Sequence, residues 1–174
     1  MDLTHLHLLL NHFPIIGTII GIALMVYALL CKQRIIQNAV LAIWVAMAII
    51  TIPVMKTGEE AEETVENIAG ITEASIHAHE EAAELALWLM ITLGIVSLAG
   101  LLLKNKDANK ASLFTKPAFV LSLVVFAAMA RTGYLGGQIR HTELQGITSA
   151  IPAGEYNSSP APGETPASSS EDDD

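Results

Sequence analysis

Four stretches of this chain are too apolar and too long to be covered by anything else in a protein of 174 residues. Residues 8–31 carry no formal charge and are interrupted only by Asn11 and His12. Residues 35–55 and 85–103 are likewise uncharged. The fourth stretch, 117–135, holds Arg131 near one end, where a long cationic side chain reaches the interface, and is unbroken over 118–130. A helix crosses the hydrocarbon of a bilayer with about 20 mostly apolar residues. Inside a bilayer the backbone must satisfy its own hydrogen bonds, which for runs of this length means helix. The expected fold is all-α: a four-transmembrane-helix bundle with spans near 5–31, 35–55, 80–103 and 117–136. The apolar content of 52%, charged content of 16% and mean hydropathy of +0.48 agree with a bilayer as solvent.

Alternating the spans sorts the cations. Lys32, Arg34, Lys104, Lys106, Lys110 and Lys116 fall on one side; Lys56, Arg131 and Arg140 fall on the other. The richer side is expected to be cytoplasmic. Both termini then lie outside, periplasmic for the bacterial inner membrane that is the expected location. The first run lacks a cationic leader and a small-residue cleavage site, so it is read as a retained span. The single Cys31 excludes a disulfide within the chain and covalent haem of the Cys-x-x-Cys-His type. The net charge of −9 and the lack of a basic patch exclude nucleic acid as a partner.

Asp2 or Thr4 can cap the first helix, and Pro14 leaves the Leu10 carbonyl without its usual donor, which predicts a local kink. Gly17-x-x-x-Gly21 offers a close-packing face, largely turned away from His12 by the helical period. Thr57-Gly-Glu-Glu60 has the pattern of a capping box. It predicts a short amphipathic helix ending near Gly70, with Ala61, Val65, Ile68 and Ala69 on one stripe and a solvated glutamate face. Thr72 can cap the third long helix. From about Thr148 the composition turns to Pro, Ser, Gly and acid, so 1–147 is expected to be the membrane domain and 148–174 a disordered acidic tail. No internal repeat is evident from the residues.

All six histidines, His5, His7, His12, His77, His79 and His141, map to the outer side, the one with fewer cations. With helices starting near Thr4 and Thr72, His12 lies roughly 12 Å along the first and His79 roughly 10 Å along the third. Two imidazoles at one depth on separate helices suit the axial positions of a haem b. Ala82, Ala83 and Ala86 beyond His79 leave room for a flat ring, and His7 with His77, or His141, can supply a second site nearer the surface. Arg131 and Arg140 can pair with propionates. The plainer roles are hydrogen bonds to headgroups, water or glutamate for the histidines, and interfacial anchoring for Arg131. A bare Zn, Cu or Fe ion is the rival cofactor, since His77-Ala-His79-Glu80-Glu81 is rich in donors. That run has neither His-Glu-x-x-His nor Glu-x-x-His spacing.

The opening His5-Leu-His7, with Asn11-His12-Phe13-Pro14, resembles the start of a family of small four-helix bacterial membrane proteins of unknown function marked by an N-terminal His…His-Phe-Pro motif. Thr57-Gly58, His77-x-His79 and Arg131-Thr-Gly133…Gly136-Gly137…His141 extend the likeness over about residues 1–145. The resemblance implies a bundle similar to the b-type cytochromes, with histidines that bind haem. The residues themselves show no nucleophile–base pair, phosphate loop or hydride-cofactor fingerprint. The functional expectation is therefore a haem b electron-transfer subunit in the lipid bilayer, working with other membrane redox subunits. It would link a quinone or membrane partner to a periplasmic redox protein. The alternatives are a non-catalytic accessory or assembly subunit and a metal-binding membrane protein.

Overall fold

The computed structural model describes residues 3–65, 72–104 and 108–140. Among these, every element is helical: α1 (Leu3–Leu10), α2 (His12–Leu30), α3 (Arg34–Val65), α4 (Glu73–Lys104) and α5 (Ala108–Arg140). Four helices, over His5–Leu30, Arg34–Glu60, Glu73–Leu103 and Leu113–Ile139, are long and apolar enough to cross a membrane. At most 33% of any such window is buried inside the bundle, so most of the apolar surface faces outward. Ile16, Ile49, Ile95 and Val120 are among the exposed side chains, and lipid is the solvent that tolerates them.

α1 and α2 are one span with a slackened joint. Pro14 has no N–H to give Leu10, so the ladder lapses at the Leu10 carbonyl, while the Asn11 N–H still reaches the His7 carbonyl at 2.9 Å and the Asn11 backbone stays helical at φ −62° and ψ −23°. The predicted kink is thus an interruption of the ladder rather than a change of backbone region. The turn into α3 closes with Gln33 N–H on Ala28 O at 2.9 Å and Lys32 N–H on Leu29 O at 3.4 Å. Lys32 takes the left-handed φ of 54° that such a cap requires. Thr72 caps α4 as expected, accepting from the Ser75 N–H at 3.3 Å.

The proposed separate helix after span two is not separate. α3 runs unbroken through Thr57 and Gly58 to Val65, because the Thr57 hydroxyl bonds back to the Pro53 and Val54 carbonyls, each at 3.0 Å, instead of capping a new start. Residues 66–71, and the tail from His141 onward, lie outside the described residues.

α2 packs against α3 and α5, and α4 packs against the same two helices, most extensively against α5. α1 continues the α2 position and rests on α3. Among the described residues, neither α1 nor α2 brings a Cα within 8 Å of α4, so these stand diagonally across the bundle. Trp44, Met25, Leu41, Met90, Leu93 and Val125 are fully buried at its centre. Gly21 lets the Trp44 indole lie directly on α2, and Gly17 does the same for Met47.

Burial reveals a repeat that the residue types conceal. Pro14, Thr18, Gly21, Met25 and Ala28 are buried on α2; Ala86, Met90, Leu93, Ser97 and Gly100 are buried on α4 at one constant spacing from them. The same spacing separates His5 from His77 and His7 from His79. On the partner helices, Val40, Trp44 and Thr51 of α3 correspond at a second constant spacing to Ala118, Ser122 and Met129 of α5, all buried. The molecule is two helical hairpins, α1/α2–α3 and α4–α5, laid out on one pattern.

Candidate functional site

His7 and His79 occupy equivalent seats in the two hairpins. The His7 Nδ1 lies 3.0 Å from the Val54 carbonyl of α3, and the His79 Nδ1 lies 3.0 Å from the Thr132 carbonyl of α5. A carbonyl only accepts, so Nδ1 carries a proton in both rings, and in the neutral form of either ring Nε2 keeps its lone pair. Each bonded carbonyl stands four residues before a glycine, Gly58 or Gly136, against which the ring lies. A Cβ on Gly58 would sit 3.0 Å from His7 Cε1, and one on Gly136 would sit 2.9 Å from His79 Cε1. In a helix the residue four ahead shields a carbonyl with its side chain, so glycine there opens the carbonyl to an outside donor. Val54 and Thr132 share the spacing of the buried pairs, as do Gly58 and Gly136. Thr57 adds a contact on one side only, with its hydroxyl 3.4 Å from His7 Nδ1.

The two seats belong to helices, α1 and α4, whose backbones stay more than 8 Å apart among the described residues. Counting outward from the contact of Gly94 with Ala48 places His79 about 7 Å farther along the bundle axis than Gly58 and His7. The rings are therefore staggered along the axis. Both are half-buried. Among the described residues, the sealed polar atoms without partners are Asn11 Oδ1, Trp44 Nε1 and Ser97 Oγ; neither imidazole Nε2 is among them. Asn11 lies one turn inward from His7 on the same stripe, and its equivalent on α4 is Ala83.

The remaining candidates lie elsewhere. His12 is exposed on the outward face, with Nδ1 donating to the Leu8 carbonyl of its own helix at 2.7 Å. Its depth on the helix is as the sequence suggested, but its angle differs. His7, Asn11, Pro14 and Thr18 share the inward stripe, and His12 falls with Leu9, Ile16 and Ile20 on the outer one. His77 is exposed and meets the Glu80 carboxylate at 3.3 Å. Arg131 is exposed at the rim of α5, beside the outward-facing Tyr134 one turn on. Arg140 ends α5 with its side chain outside the described residues, as is all of His141. Gly58, Gly136 and Asn11 were not anticipated as site residues. The twin His-x-His at 5–7 and 77–79 was the signal that could have led to the seats.

The level of the site follows from the charges around it. On α2, α3 and α4 the outermost apolar boundary is marked by His12, Lys56 and Glu84, about 30 Å from Lys32, Arg34 and Lys104 at the other end. α1, the last turns of α3 and α5, and the first turns of α4 project beyond that boundary by roughly ten residues each. His7 and His79 stand at the base of this projection, at the interface rather than at mid-membrane.

Among the described residues no three His, Cys, Asp or Glu side chains are grouped closely enough to hold a bare metal ion. His7 and His79 each keep an Nε2 for which no partner is found among the described residues. Comparison with known proteins finds no matching family, no matching curated protein and no matching solved structure. The resemblance of the opening motif therefore stands on its own residues.

Proposed function

We propose that this chain is a membrane-embedded electron-transfer subunit that holds haem b between His7 and His79. The observation that carries the reading is the matched pair of seats. Each imidazole is fixed through Nδ1 by a backbone carbonyl, which sets its tautomer and aims the opposite nitrogen away from the helix that holds it. Iron in a porphyrin already has four ligands and needs two more, one on each face. A two-donor site on diagonal helices suits that demand, whereas a bare zinc or copper ion asks for three or four protein donors. When bound, the haem supplies a one-electron couple whose potential is tuned by its axial ligands and their hydrogen bonds.

The chain's own residues account for the rest. The Val54 and Thr132 carbonyls hold the rings in orientation, Gly58 and Gly136 give them room, and the apolar span below excludes water from one side. With the lysine-rich side in the cytoplasm, the site faces the periplasm, within reach of a soluble redox partner. The purified protein is expected to show a Soret band and a reduced-minus-oxidised α band of a low-spin b-type haem. His7→Ala and His79→Ala should each remove it. A colourless, metal-free protein would replace this reading with that of an accessory subunit. Metal without porphyrin would replace it with that of a metal-binding protein.

A further inference from the structure

A shallow groove of about 460 Å³ runs down the outer face of the α1/α2 span, walled by Leu9, Phe13, Ile16 and Ile20 and backed by Met47 of α3. Gly17 gives it depth, and His12 is the one imidazole on its wall. From Leu9 to Ile20 the groove covers about 16 Å of helix, beginning at the membrane boundary and descending into the apolar slab. We infer that this groove binds an isoprenoid quinol, with its head at His12 and its tail along Ile16 and Ile20.

The chemistry of His12 selects the head group. Its Nδ1 donates to the Leu8 carbonyl at 2.7 Å, so the neutral ring offers Nε2 as an acceptor, and no described residue uses it. A nitrogen at the edge of the hydrocarbon is costly to leave without a partner. An occupant of the groove that presents a hydroxyl or similar donor at this level satisfies it. Phe13 adjoins His12 on the wall and offers a ring face for a flat head to stack on. No cation lines the groove, so a phospholipid phosphate finds nothing to pair with. A quinol meets each condition: a flat ring, a hydroxyl donor, no net charge and a branched apolar tail. The oxidised quinone, which has no hydroxyl, loses the bond to Nε2. The groove is also near the haem site of the proposed function, since His12 and His7 are separated by about 8 Å of rise on one helix. The use of the electrons rests on that reading; the binding does not.

The test measures binding without reading absorbance of the protein. The full chain in phosphatidylcholine nanodiscs is equilibrated anaerobically with decylubiquinol, and the quinol retained is compared with that in empty discs. The wild type should hold about one quinol per chain above partition. His12→Phe and Ile16→Trp, both at exposed positions that leave the core untouched, should each weaken that retention at least tenfold, and decylubiquinone should bind at least tenfold more weakly than the quinol. His7→Ala should bind quinol as the wild type does, even where it has lost haem. Retention equal to empty discs, or equal retention by the wild type, both groove variants and the quinone, would overturn the assignment and leave a lipid-filled groove. A protein without haem that still binds quinol through His12 would end the haem reading and keep this one.

Discussion

The middle of the bundle and its histidine end use similar positions for opposite purposes. Within the span, glycine admits an apolar side chain from the neighbouring helix: Met47 lies on Gly17, Trp44 on Gly21, and Ala48 approaches Gly94. Toward the histidine end, glycine admits an imidazole, His7 on Gly58 and His79 on Gly136. In the first case the close approach is spent on dispersion contact, the main force between helices once lipid has removed the hydrophobic drive. In the second it opens a backbone carbonyl to a ring nitrogen. The span is built to stay shut, and the histidine end holds two rings in fixed orientation. Breaking the first should cost the fold, and breaking the second should cost the ligand.

The largest effect is expected from the shut span. Trp44→Ala removes the largest fully buried side chain and leaves a cavity between α2 and α3. A loss of about 3–5 kcal/mol is expected, read as a lower denaturation midpoint in detergent. Loss of chromophore in this variant should follow unfolding and never precede it. A Trp44→Ala protein of unchanged stability would mean that the bundle is held together elsewhere.

At the histidine end, His7→Ala and His79→Ala should leave the denaturation midpoint of the apoprotein within about 1 kcal/mol of wild type, since both rings are only half-buried. Their spectra should change alike, because the two seats are equivalent. His12→Ala should keep the spectrum. If His12→Ala abolishes absorbance while His7→Ala leaves it intact, the ligand lies on the outer face and the pairing across the bundle is wrong.

The contrast between these histidines shows what the residues revealed and what they hid. The spans were legible because an uncharged run long enough to cross a bilayer has few alternatives. The depth of His12 was legible too, by counting rise. Its angle is legible as well: the helical period turns Gly17 and Gly21 away from His12, and that face is the inward one, shared with His7. The glycine half of each seat is beyond the reach of sequence, since nothing in it joins Gly136 to His79 until α4 and α5 are in register; only the twin His-x-His marks the imidazole half. The repeat was hidden for a similar reason. It lies in which positions are buried, and only His-x-His and a few small residues repeat by type.

Within α5 the comparison can be sharpened with methyl groups alone. A Cβ at Gly136 meets the His79 ring at 2.9–3.7 Å, whereas Cβ atoms at Gly133 and Gly137 meet nothing within 4 Å. Gly136→Ala should tilt the ring off the Thr132 carbonyl and weaken haem retention roughly tenfold, as lost orienting contacts do at other metal sites. Gly133→Ala should leave retention unchanged and add up to about 1 kcal/mol of helix propensity. Equal loss from both variants would assign the effect to the helix and not to the seat.

The smallest effects should differ in sign between the two regions. The Thr57 hydroxyl is engaged at the histidine end, donating to the Pro53 and Val54 carbonyls and lying 3.4 Å from His7 Nδ1. Thr57→Val keeps the shape and removes these contacts, so a loss of about 1 kcal/mol is expected, with a small shift of the haem bands from the His7 side. The Ser97 hydroxyl, within the span toward the lysine end, is fully buried and has no partner among the described residues. A buried polar group with no partner carries its desolvation cost without return, so Ser97→Ala should stabilise the bundle by up to about 1 kcal/mol and leave any spectrum untouched. Its counterpart in the other hairpin, Met25, is apolar, so the repeat itself tolerates that exchange. Denaturation midpoints and reduced spectra of the two variants, measured side by side, decide the matter. If Ser97→Ala destabilises instead, its hydroxyl has a partner within the bundle, and the span is less purely a packing surface than Trp44 and its glycines make it.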